Sequence, residues 1–317
     1  MNQNSMAVII LCSHLCIGEN IKPFALTEWT RLADRLLYNK TQPYELLSYT
    51  DDDFKSKLNF SADEVRRINK LIERSGSIAF EIEKYANMGI NIMTRADSCY
   101  PRTLKKKLGK SCPLLFYYAG NPGLIEKKSI GFVGSRSIET DDEVFTAATV
   151  TKINSNGSAV VSGGAKGIDS ISRATSIKNG NFCIEYISDS LVKKIKSRDI
   201  ISAIVNNRLI VLSMAKPDAG FTIGSAMTRN KFIYAQSDGT VIIKSDYEKG
   251  GTWNGAVENL SKQWSLTFCW NNANYKGNLE LINRGAIPVD ETWDGDVLNY
   301  EKSEHKGLHE QLSLLNA

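Results

Sequence analysis

The chain has 317 residues, 42% of them hydrophobic and 23% charged, which suits a globular protein of one large domain or two ordinary ones. Its net charge of +4, from 39 Lys+Arg against 35 Asp+Glu, is too mild to demand a nucleic-acid partner by itself. The apolar run Met6–Cys12 lacks a basic leader, and no run approaches the ~20 residues of a membrane span.

Residues 1–88 read as a small all-α module. Leu26, Trp29, Leu32, Ala33, Leu36 and Leu37 recur at helical spacing. Ser61 and Glu64 form a capping-box pattern ahead of an apolar stripe through Val65, Ile68, Leu71 and Ile72. A further helix is predicted over about 77–88, stopping at Gly89.

From Gly89 short apolar runs alternate with amphipathic stretches. The predicted strands are Ile90–Met93, Leu114–Tyr118, Ile130–Val133, Ala159–Val161, Phe182–Ile187, Leu209–Ser213, Val241–Ile243 and Leu266–Trp270. Helices are predicted near 141–154, 168–178, 189–197, 222–235 and 252–263. This alternation implies βαβ units, hence a Rossmann-like, mostly parallel α/β sheet with helices on both faces. Residues 89–298 form that domain, and 299–317 a short tail or helix.

Parallel sheets place ligands beyond the carboxyl ends of their strands. Four stretches there favour an anion. Gly134, Ser135 and Arg136 follow one strand, with a guanidinium suited to phosphate oxygens. Ser162, Gly163, Gly164, Lys166 and Gly167 precede a helix near Ile168, whose N-terminal amides attract negative charge. Asp169 is placed to cap that helix. Arg229, Asn230 and Lys231 bring two cations and an amide. Gly250, Gly251 and Thr252 open a second glycine-rich helix start, followed by Trp253, a base-stacking or core residue. The spacing fits neither a dinucleotide fingerprint nor a nucleotide-triphosphate loop. Together the four stretches imply a polyanion or a phosphorylated nucleotide.

Other chemistry finds little footing. The six cysteines read as free core thiols of a reducing compartment, so the expected location is cytoplasmic. Cys12, His14 and Cys16 lack a fourth metal ligand, and His305 and His309 lack a third. With three histidines, none near the glycine-rich motifs, no Ser-His-Asp set assembles.

In this order the motifs resemble the DNA-processing protein A (DprA/Smf) family. The matching pieces are Gly131–Arg136, Val160–Asp169, Arg229–Lys231 followed by Ser237–Ile243, and Gly250–Thr252, flanked by Asn91–Pro101 and Asn278–Gly285. The resemblance implies a non-enzymatic, cofactor-free protein that binds single-stranded DNA, usually as a homodimer. It would protect the strand or load a RecA-type recombinase onto it, in natural transformation, recombination, a mobile element or phage defence. Carried over by position, the DNA contacts are Ser135, Arg136, Gly164, Lys166, Arg229, Asn230 and Lys231, with Gly251 and Thr252 beside them.

The sequence also departs from the family pattern. Ser170–Arg173 stands where a histidine is usual, and Glu185–Ser190 replaces a glycine-rich turn. The loop before Arg229 lacks the family's usual proline, and with 27 residues after Asp290 the expected form lacks a C-terminal winged helix. The competing reading is a nucleotide-binding or phosphoribohydrolase-like (LOG-type) protein using the same groove. Its catalytic glutamate would sit three residues after the threonine, whereas Glu258 follows Thr252 by six.

Overall fold

The computed structural model describes residues 2–18, 21–297 and 300; the predicted tail, apart from Tyr300, lies outside them. The chain divides into two compact units, one of residues 1–126 and 187–225, the other of 127–186 and residues from 226 onward. A boundary near residue 89 between a helical module and an α/β region remains our proposal.

The first unit opens with five helices: α1 (Gln3–Cys12), α2 (Leu26–Tyr38), α3 (Asp51–Leu58), α4 (Ala62–Ile72) and α5 (Ser75–Asn87). The apolar run at the N-terminus is a core helix, with Ala7, Val8, Ile9, Ile10 and Leu11 all buried. Among the described residues no helix is long and apolar enough to cross a membrane. The capping box forms as expected: the Glu64 N–H donates to Ser61 Oγ at 3.3 Å, and Glu64 Oε2 accepts from the Ser61 N–H at 2.8 Å.

The same unit continues with β1 (Asn91–Thr94), α6 (Arg102–Leu108) and β2 (Leu115–Gly120). Its second segment supplies α9 (Leu191–Lys194), α10 (Arg198–Val205) and β6 (Leu209–Ser213). These strands pair antiparallel, with Ile92 opposite Tyr117 and Tyr117 opposite Ser213.

The second unit holds β3 (Ser129–Val133), α7 (Thr140–Ser155), β4 (Ala159–Ser162), α8 (Ile168–Lys178) and β5 (Cys183–Ile187). After the helix α11 (Ile223–Gln236) come β7 (Gly239–Ile242), α12 (Gly250–Lys262), β8 (Leu266–Trp270), α13 (Lys276–Asn283) and β9 (Ile287–Val289). Its strands run parallel in the order β5-β4-β3-β7-β8-β9. From β3 the chain winds one way through β4 and β5, and from β7 the other way through β8 and β9. Right-handed crossovers therefore put α7 and α8 on one face and α12 and α13 on the other. Side chains on β8 show the same division. Thr267 accepts from Asn259 of α12 at 2.7 Å, while Trp270, three residues on and facing the other way, stacks on Phe145 of α7 at 4.2 Å. The Rossmann-like, mostly parallel sheet is thus present, and its winding reverses between β3 and β7.

Four elements were not legible in the sequence pattern. The helix expected at 189–197 is the four-residue α9, with α10 following it; α6, α13 and β9 were not anticipated. α6 has only Leu104 and Leu108 on its buried face, and β9 is a three-residue strand containing Pro288, too brief for either periodicity to register. The cysteines are free, but only Cys112, Cys183 and Cys269 are buried, and Cys16 is exposed.

Asn278, at the start of α13, ties the ends of β7 and β8 together. It is buried, donates to the carbonyls of Ile243 at 2.8 Å and Trp270 at 2.9 Å, and accepts from the Ser245 N–H at 2.9 Å. Asn278→Leu would strand three buried backbone groups at about 1–3 kcal/mol each when fully desolvated. Urea denaturation is expected to show a loss of about 3 kcal/mol in unfolding free energy.

Candidate nucleic-acid interface

The loops after β3 and β4 sit beside the point where the sheet's winding reverses, the position at which such sheets hold ligands. They touch one another through Gly167. This residue has φ +74°, and a Cβ there would run into the Ser135 carbonyl and lie 2.9 Å from Arg136 Cα. Only glycine meets both demands. The Ile168 N–H donates to the Ser135 carbonyl at 3.4 Å, and a Cβ on Gly134 would lie 2.5 Å from Ile168 Cγ1. The stretch carrying Lys166 is therefore seated on the stretch carrying Arg136. Both cations are exposed, and α8 starts without a side-chain cap.

Arg229 supports these loops from within. It is 6% exposed, and its guanidinium occupies the space where a Cβ of Gly163 would be. Asp169 Oδ2 faces Arg229 Nη1 at 3.6 Å and accepts from the Ala165 N–H at 3.1 Å. Asp169 thus turns back onto the loop ahead of its helix. Burial pulls the Arg229 pKa below the usual arginine value; Asp169 opposes that, and the nearby charge of Arg136 adds to it. Among the described residues Arg229 Nε has no hydrogen-bond partner.

A second buried ion pair lies in the same charged cluster. Arg173 Nη1 meets Glu185 Oε1 at 3.2 Å, with Glu185 fully buried, and Glu185 also favours the Arg229 charge. Arg173 and Glu185 belong to two stretches where the sequence departs from the family pattern, and here they balance each other. Ser162 is buried and its Oγ accepts from the Gly164 N–H at 3.4 Å.

The remaining candidates gather at the start of α12. Asn230 Nδ2 donates to the Gly251 carbonyl at 3.0 Å, which fixes the helix start against α11. Gly250 and Gly251 are exposed and Thr252 is half-buried. Lys231 pairs with Glu258 at 3.0 Å. Trp253 is buried and lies under the Arg284 guanidinium, so it serves the core. Glu258 stands eight residues from Gly250, about 12 Å along the helix, and is occupied by Lys231.

Sequence reasoning missed Lys244, which follows β7 at the reversal of the sheet. Its Nζ meets Glu139 at 3.0 Å and buried Asp142 at 3.1 Å and lies 4.8 Å from the centre of the Tyr275 ring, whose hydroxyl donates to Asp142 at 2.6 Å. Burial works against the Lys244 charge, but the hydrogen bonds to Glu139 and Asp142 outweigh it and raise its pKa. Burial and the bond to Asp142 push the Tyr275 hydroxyl up to about 12. The signal was a lone lysine directly after a predicted strand.

Residues 91–298 match the family model described as DNA recombination-mediator protein A. The chain belongs to this family. It is 26% identical to the DNA processing protein DprA of Streptococcus pneumoniae over 54% of its own length, spanning 58% of that protein. With DprA of Bacillus subtilis it shares 24% identity over 93% of its length and 95% of the relative's. The crystal structure of the S. pneumoniae protein aligns with a TM-score of 0.62 at 22% identity, covering 82% of this chain and 89% of that one. The solved structure of DNA processing protein A from Helicobacter pylori aligns with a TM-score of 0.54 at 22% identity, covering 69% and 96%. At such identities the structures bear out the fold. Family membership agrees with the expectation of a DNA-handling protein and not an enzyme.

Arg229→Met removes the cation that faces the buried Asp169 carboxylate, and breaking such a buried ion pair costs about 3–5 kcal/mol in comparable cases. Thermal and urea unfolding should show that loss, and Arg229→Met/Asp169→Asn should recover at least half of it.

Proposed function

We propose that the chain binds single-stranded DNA across the loops after β3 and β4, with Arg136 and Lys166 reaching the phosphates. The observation that carries this reading is the seating of Gly167 on Ser135 and Arg136, which brings two exposed cations and an uncapped helix start into one loop pair. Gly164 lets a strand approach the backbone, while buried Gly163 makes room for Arg229, which holds the loop from behind. Asn230, Lys231, Gly250, Gly251 and Thr252 extend the surface along α12. The H. pylori relative of solved structure has a single-stranded DNA binding mode, which supports the reading.

Sequence preference is low, because phosphate contacts position a strand without reading its bases. In its full form the proposal has the chain act as a homodimer that protects the strand and passes it to a RecA-type recombinase, in recombination, DNA uptake or defence against phage. Co-purification of a recombinase with the DNA-loaded protein, and loss of that association in Arg136→Ala/Lys166→Ala, is the expected sign. The phosphoribohydrolase reading loses its support, since Glu258 is paired with Lys231 and far from the glycine-rich start.

Affinity for an oligothymidylate should fall steeply with salt. Arg136→Ala and Lys166→Ala should each lower the slope of log K against log salt by about 0.7. Arg229→Met should weaken binding with the slope unchanged, because a buried guanidinium displaces no counterion. Fluorescence anisotropy across a salt series reads all three. Slopes identical to the parent in both alanine variants would remove the two cations from the interface.

A further inference from the structure

The first unit carries a charge cluster that the proposed loop site does not use. Between Arg102 and Lys110 the chain places five cations and no carboxylate. Leu104 and Leu108 are buried and pin α6 to its unit, and Arg102, Lys105, Lys106 and Lys110 are left exposed. Arg102 lies three and four residues from Lys105 and Lys106, so like charges are neighbours on the helix at a cost of a few tenths of a kcal/mol each. A favourable helix dipole explains cations in a last turn, but Arg102 sits at the first position, where the dipole disfavours it.

Lys110 Nζ meets Asp34 of α2 at 3.1 Å, a pair exposed on both sides and worth little in energy. It does fix which face of α2 adjoins the cluster. Leu37 and Tyr38 follow Asp34 by three and four residues on that face, and they are 80% and 88% exposed. Tyr38 thus stands one helical turn from the carboxylate that Lys110 meets, and proteins hold single strands by combining an exposed ring, on which bases stack, with cations that meet the phosphates.

We propose that α6 and the adjoining face of α2 form a second binding surface for single-stranded DNA, with Tyr38 stacking a base and Arg102, Lys105 and Lys106 holding phosphates. The charge complementarity and the exposed ring decide the occupant. The surface belongs to the first unit and the loop site to the second.

The test uses the full chain and a fluorescent oligothymidylate of about 40 nucleotides, with Arg102→Gln/Lys105→Gln/Lys106→Gln and Tyr38→Ala each made in the parent and in Arg136→Ala/Lys166→Ala. All four side chains are exposed, so melting temperatures should match the respective backgrounds. The triple variant should lower the salt slope by about 2, three phosphates at 0.7 each. Tyr38→Ala should weaken binding roughly tenfold with the slope unchanged. Both effects should persist in either background. If Arg136→Ala/Lys166→Ala binds like the parent while the triple variant does not, the loop reading fails and this surface stands. Unchanged affinity and slope in the triple variant overturn it. So does a triple variant that loses binding to polyglutamate but keeps the oligothymidylate, which would assign the patch to an acidic protein.

Discussion

A buried guanidinium shapes the loop that this structure offers to a ligand. Arg229 fills the space a side chain on Gly163 would need, and its charge is tolerated there because Asp169 faces it and Glu185 stands near. Charge buried at this depth is costly unless paired. The pairing fixes the loop before α8, and that loop in turn rests on Ser135 and Arg136 through Gly167. On the proposed reading, exposed Arg136 and Lys166 then need no ordering of their own backbone when a strand arrives, which lowers the entropy lost on binding.

This division of labour separates cations by burial. On the proposed reading, those at the surface exchange counterions for phosphates and so report themselves in salt dependence. Those inside set geometry and report themselves in stability. Lys244 belongs with the second group, held by Glu139 and Asp142 at the reversal of the sheet. Lys231, paired with Glu258 at the α12 surface, lies between the two groups.

Much of the fold was legible because its strands are apolar runs bounded by glycine and polar residues; β8 and β6 fell where the pattern put them, at Leu266–Trp270 and Leu209–Ser213. What escaped was short or atypical: α6 with two buried leucines, and β9 with a proline. The glycine-rich loops stood out as a candidate anion site from residue types alone, and the structure seats the Lys166 stretch on the Arg136 stretch. The direction of Arg229 was not, because a sequence shows a cation and not which way it turns. Nor did it show that Arg173 and Glu185, twelve residues apart, compensate one another across α8 and β5.

The central claim is that the Arg136 and Lys166 loops grip a phosphate while Arg229 stays inside as their support. A crystal structure of the chain with a short oligothymidylate tests this most directly. The account predicts a phosphate against the backbone between Gly164 and Gly167, within reach of Arg136, and Arg229 still beside Asp169. An oligonucleotide seated away from these loops, or an Arg229 swung outward to carry the phosphate itself, would contradict it.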